Sequence, residues 1–322
     1  MLLPIFSRSL WLSSATKSST SSPEGIRHWI ASANWSIDKP ITKKHAELVI
    51  HDFDFFGDAC INDSIRLGNA AFESACSIIT RADEQRGWAW QLICYYYASY
   101  FAANALMRLS GHGCLNLSAI DCAEINQQAI LYSCGGDKES NKLSPGVFYS
   151  WVEHGKTPKW HVSTISGKGG VHIQFWIGFM KFLKDIEFSI KNSAIVKKDR
   201  TECLGELNNL TSGLKHSGSQ NGAWLSEVRN AANYRLDYGI WFPYSDCKVD
   251  SFRASELFKK GASGLIGFPR QSQKLEDLER AVQLSGVLLS WLRESLIVIE
   301  SKSRGQKKEL ISKGALAFAA NL

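Results

Sequence analysis

WAWQLICYYYASYFAANALMRL, Trp88 to Leu109, is the stretch whose reading decides the fold. It is long, apolar and ends at Gly111 and Gly113, so it reads as a buried helix with a glycine stop. Ala98, Ala102 and Ala105 make a small-residue stripe that lets another helix approach closely. Tyr95, Tyr96, Phe101 and Met107 make the bulky face. Upstream, residues 62–80 are periodic: Ile65, Asn69, Phe72 and Cys76 trace one face, with Leu67, Ala71 and Ile78 beside it. A charged connection at 81–87 turns the pair into an αα-hairpin.

Working outward, further helices are expected near 118–130, 172–190, 201–215, 223–238, 252–261 and 275–299. The last repeats Leu278, Ala281, Val282, Leu284, Val287, Leu288, Trp291 and Leu292 at three and four. Strand signal is weak, and residues 114–170 read as an irregular insertion: the helix near 118–130, then loop or short strands. The expected class is all-α, a helical bundle with that inserted segment. Two regions are expected: a lead-in, 1–57, packed on the body, and a helical domain, 58–322.

The composition is that of a folded globular chain, 44% hydrophobic and 21% charged over 322 residues. A net charge of +6 permits RNA, DNA or an acidic protein as partner without demanding one. Eight irregularly spaced cysteines with no C-x-x-C pair point to reduced thiols, hence a cytoplasmic protein. The histidines and cysteines are scattered, so no metal site and no cofactor is expected. The start, up to Glu24, is serine-rich and acid-poor like a transit peptide, but it also reads as a lead-in docked through Trp11 and Leu12. No stretch reaches the apolar length of a membrane span, so no membrane partner is expected. HDFDFFGD, with Asp52, Asp54 and Asp58, reads as an aromatic-packed loop rather than a metal site. SGKGG, 166–170, lacks the remainder of a phosphate loop and reads as a hinge before a helix. The tail, 302–313, is basic.

The functional candidate is AWLSEVRNAANYRLDYGIWFPY, Ala223 to Tyr244. Arg229 and Asn233 are four apart and share a helix face. An arginine among planar hydrogen-bonding side chains suits a phosphate or a carboxylate. Asn230, Asn233, Arg235 and Tyr238 are the candidate binding residues around it. Read structurally, Arg229 would instead pair with Asp63 or Glu73, and Asn233, Arg235 and Asp237 would cap the helix.

Two segments carry a family resemblance. YYYASYFAANALMRLSGHG, Tyr95 to Gly113, resembles the second helix of HEPN-domain proteins, and VRNAANYR, Val228 to Arg235, resembles their motif helix. The form with NYR and a nearby W-F-P resembles the YaaC-like branch of that superfamily. The resemblance covers about 60–115 and 172–300. It implies a HEPN-like helical bundle, a homodimer, and a bacterial defence or toxin–antitoxin setting, with RNA or a protein of a defence complex as partner. Many members are metal-independent endoribonucleases, and others are binding modules. In the implied chemistry the ribose 2′-OH attacks the adjacent phosphate, with a histidine moving protons and arginines stabilising charge. Carried over, Arg229 is the motif arginine and Asn230 the polar residue after it. The family's histidine position holds Tyr234, a poor base at neutral pH, and His216 is the histidine near in sequence that could substitute. The implied catalytic set is therefore Arg229, Tyr234 and His216. The other class of function is a non-catalytic subunit of a larger assembly, in which Arg229 only knits the bundle.

Overall fold

A computed structural model describes residues 2–17, 24–79, 87–135, 139–165, 169–194, 196–242, 244 and 250–322. The helices are α1 Leu3–Phe6, α2 Ile26–Ala31, α3 Phe53–Ile79, α4 Trp88–Leu109, α5 Ala119–Leu131, α6 Val171–Asn192, α7 Lys197–Leu214, α8 Trp224–Asn230, α9 Ser251–Ala262, α10 Asp277–Lys302, α11 Gly305–Leu310 and α12 Leu316–Ala319. The strands are β1 Trp35–Ser36, β2 His45–Ile50, β3 Gly113–Leu117, β4 Gly146–Glu153 and β5 Lys159–Thr164.

The five strands form one antiparallel sheet in the order β1-β2-β5-β4-β3. The all-α, HEPN-like bundle expectation is therefore corrected to a mixed α and β protein, 65% helix and 10% strand. The physical reason lies in the buried alternation. Phe148, Ser150 and Val152 of β4, Trp160 and Val162 of β5, and Ala46 and Leu48 of β2 are buried on one sheet face. They pack on α2 and the start of α3, where Trp29 meets Phe56 at 4.8 Å and Trp160 at 5.4 Å between ring centroids. Each such indole contributes about 4–6 kcal/mol of gross hydrophobic stabilisation. β2 comes from the lead-in and β5 from the inserted stretch, so those two regions share one sheet.

The helical layer follows the periodicity. α3 packs along α4, and the Ser64 hydroxyl donates to the Ala105 carbonyl at 2.9 Å, a close approach along the alanine stripe. α10 is buried nearly all round and packs on both α4 and α9. Among the described residues it is the one helix long and apolar enough to cross a membrane, but 78% of its most apolar window is buried inside the protein. α5 starts at a capping box made by Ser118 and Asp121. Leu12 is buried, its N–H donating to the Leu109 carbonyl at 2.8 Å, and Trp11 packs partly against the core. Asp52 caps the start of α3 through the Phe55 N–H, and Asp54 pairs with Lys17. Most of the 81–87 connection and of SGKGG lies outside the described residues.

Candidate functional site

α8 is shorter than its sequence period implies. It buries Trp224, Leu225, Ser226 and Val228, and Arg229 stands in its last turn. Residues Ala231–Arg235 then form a π turn. After it, Leu236 (φ 57°) and Tyr238 (φ 72°) both take the left-handed conformation. Non-glycine residues there store roughly 1 kcal/mol or more each, and π turns and such strain cluster at functional sites. The Trp241 indole N–H satisfies the loosened Ala232 carbonyl at 2.7 Å.

The Arg229 guanidinium donates through Nη2 to the Tyr97 hydroxyl at 3.2 Å and through Nη1 to Asn230 Oδ1 at 3.0 Å. It lies 5.0 Å from the Tyr234 ring centroid and 5.9 Å from that of Tyr97, both cation–π distances. Its Nε is buried with no hydrogen-bond partner among the described residues. Burial opposes its charge, but the Tyr97 and Tyr234 hydroxyls outweigh that and raise its pKa. Asp63 is engaged by Arg66 at 2.7 Å and lies 3.9 Å from Arg108. Among the described residues no carboxylate forms an ion pair with Arg229.

His172, in the first turn of α6, shares this pocket. Its ring centroid is 5.8 Å from that of Tyr97, on which Arg229 also rests. Its Nδ1 is 2.9 Å from the Tyr96 hydroxyl, and that hydroxyl accepts from the Trp176 indole at 3.3 Å. A hydroxyl has one proton and two lone pairs, so while accepting from Trp176 it can still donate to Nδ1 or accept from it, and Tyr96 couples His172 to α4 in either tautomer. Burial, and then the Arg229 charge, lower the His172 pKa, so the ring is neutral at pH 7.

The structure thus brings Arg229, Asn230 and Tyr234 together with Tyr97 and His172. The other candidates lie apart. His216 is 3.0 Å from Asp277 and stands edge-on to Trp224. Arg235 pairs with Asp237 at 2.9 Å. Tyr238 is partly buried against the core, and burial followed by the Asp277 charge raises its pKa. Asn233 is half-buried in the π turn. The basic tail folds back: Lys307 is buried and donates to the Ser14 carbonyl at 2.7 Å, while Lys308 and Lys313 pair with Glu300 and Glu309. Tyr97 and His172 escape a reading based on sequence proximity. The available signals were the Tyr95–Tyr97 run and a histidine two residues after a glycine hinge.

What fold and site define is a mixed α and β chain with a five-stranded antiparallel sheet and an arginine walled by tyrosines, with no ion-paired carboxylate among the described residues. Comparison with family models, curated proteins and solved structures finds no match for it.

Proposed function

We propose that the chain binds RNA, holding a backbone phosphate between Arg229 and the His172 imidazole. One observation carries this reading: a half-buried guanidinium is held by a phenol and an amide, with no ion-paired carboxylate among the described residues. A charge desolvated without a counter-ion favours an anionic ligand. Tyr234, 69% exposed, offers a ring on which a base can stack. Trp90, Leu236 and Phe242 are also exposed, at 54%, 59% and 84%, and Trp90 touches Trp241. These large apolar side chains near the pocket support a homodimer that covers them. Seven free cysteines among the described residues support a reducing, cytoplasmic setting. The HEPN resemblance, which rests on helices alone, supports a role in bacterial defence or a toxin-type system.

A second reading is metal-independent RNA cleavage, favoured by the imidazole beside the arginine. His172, neutral at pH 7, is suited to accept the 2′-OH proton, whereas a neutral imidazole is far too weak an acid to protonate a leaving 5′ oxygen.

The test is binding of single-stranded RNA by wild type and Arg229→Ala, across a salt series and in chelator. The expected result is salt-dependent binding by wild type and a loss of roughly tenfold or more in the variant, the size of a charged hydrogen bond. Equal binding by a folded Arg229→Ala would sink the proposal. A lowered melting temperature with unchanged binding would favour the knitting role instead. Cleavage of RNA in chelator, lost in Arg229→Ala, would establish the second reading.

A further inference from the structure

The outer face of the sheet carries a cluster remote in sequence from Arg229. β2 places His45 and Glu47 two residues apart, hence on one face. β5 places His161 directly opposite Glu47. Ligand atoms of the three side chains all lie within 4.8 Å of one another. Glu47 and His161 are buried, at 7% and 8% exposure, and His45 is half-buried.

We infer that His45, Glu47 and His161 form a site for a divalent cation of the zinc class. The geometry of the three ligand atoms carries the inference. His161 Nε2–H donates to Glu153 Oε2 at 2.9 Å, which leaves Nδ1 as the ring atom facing Glu47 Oε2, 3.7 Å away. That distance is too long for a hydrogen bond and close to the spacing of two ligands on one tetrahedral ion. Trp151 stacks on the His161 ring at 4.8 Å and 7°, fixing the ring plane. A carboxylate on the far nitrogen of a ligating imidazole is the usual outer support of a metal site. Two imidazoles and one carboxylate are a zinc donor set with a position left open. Closing from these separations to zinc's bond lengths of ~2.0–2.2 Å takes side-chain rotations of about 1 Å.

Lys39 and Lys159 also bear on Glu47. Lys159 contacts Oε1 at 2.5 Å, and Lys39 reaches Oε1 at 3.1 Å and Oε2 at 3.2 Å. Lys39 has a 62% exposed side chain and is free to swing out, so it is the residue the cation displaces. Lys159 keeps Oε1 and balances the carboxylate. His161 and Glu153 also line a groove of about 1530 Å³ with His154, Lys181 and Asp185, so the cluster borders a space large enough for a ligand.

The site is tested by stripping the full-length protein with chelator, then titrating ZnCl₂ calorimetrically and CoCl₂ by visible absorption. One equivalent of each should bind, with cobalt giving the d–d bands of a four- or five-coordinate ion. Glu47→Gln and His161→Gln should each lower affinity by roughly tenfold or more, and Glu153→Gln by roughly tenfold. Lys39→Ala should tighten binding roughly two- to fivefold, the scale of one exposed ion pair removed as competitor. That gain cannot arise from misfolding, so it keeps the test decisive if a sheet variant is unstable. No bound equivalent in wild type, or undiminished binding in a folded His45→Ala/His161→Gln double variant, would overturn the inference. RNA binding by Arg229 is read out separately and does not bear on it.

Discussion

The same substitution, glycine to alanine, should have opposite signs at two positions. Gly286 lies in α10 where α9 crosses it. A methyl added there would stand 2.5 Å from the Phe258 carbonyl oxygen, 3.1 Å from Ala262 N and 3.2 Å from Gly261 Cα. All three neighbours are backbone, so no side chain can swing aside. Restoring a C···O contact of ~3.3 Å means moving α9 by about 0.8 Å. That shift also disturbs Phe258 against Tyr95, whose rings are 4.5 Å apart beside the Arg229 pocket. Overpacking of this kind costs about 3 kcal/mol at its upper end, and alanine returns about 1 kcal/mol of helix propensity. Gly286→Ala should therefore lose about 2 kcal/mol. Gly205, exposed on α7, has nothing within 4 Å of its added methyl. Gly205→Ala should gain about 1 kcal/mol. At ~2.1 cal/mol/K per residue, over 322 residues, these become a fall of about 3 °C and a rise of about 1.5 °C. Urea and thermal melts followed by circular dichroism read both. If Gly286→Ala stabilises like Gly205→Ala, α9 and α10 do not meet backbone to backbone, and the packing beneath the pocket is wrong.

Stability should fall in mild acid. Burial, aided by nearby His154, lowers the His112 pKa to about 4 against an ordinary 6.5. Below pH 6.5 the unfolded chain takes a proton that the folded one refuses, so stability is full above 6.5 and drains until about 4. The loss is on the order of 3 kcal/mol, and urea midpoints at pH 7 and pH 4.5 should differ less in His112→Gln. Leu236→Gly should raise the urea midpoint by about 1 kcal/mol equivalent, because the left-handed backbone is relieved and an exposed side chain is lost. A drop would show that Leu236 makes contacts that matter more. His172→Gln should weaken RNA binding roughly tenfold, while His216→Gln should leave it unchanged; the reverse order would move the site to the Asp277 side of α8.

The helices were legible because burial repeats at three and four over long runs. α4, α6 and α10 lie within a few residues of their expected bounds. The strands were not legible, for a local and a distant reason. In β4, Phe148 points to the core while Tyr149 and Trp151 occupy the other face, so aromatic residues sit on both sides and the alternation of two is blurred. In β2, Glu47 is as buried as its neighbours, because Lys39, Lys159 and His161 surround it. No window of sequence shows that pairing, since β2 and β5 are more than a hundred residues apart. The same pairing gathers histidines that look scattered along the chain.

The Arg229 helix shows how a single turn changes a reading of faces. On an α-helix the residue four after Arg229 is its neighbour, which selects Asn233. The π turn at Ala231–Arg235 takes wider steps, so the residue five after it comes back over the guanidinium. That residue is Tyr234, with its ring 5.0 Å from Arg229. In the HEPN resemblance this fifth position belongs to histidine, and here it holds an aromatic ring with a hydroxyl. The imidazole arrives from α6 instead, as His172, across the same Tyr97 ring. Arginine and imidazole can therefore share a pocket although the motif itself lacks the histidine. The consequence is chemical: beside the arginine the pocket gains a neutral imidazole able to take up a proton, which the motif itself does not supply.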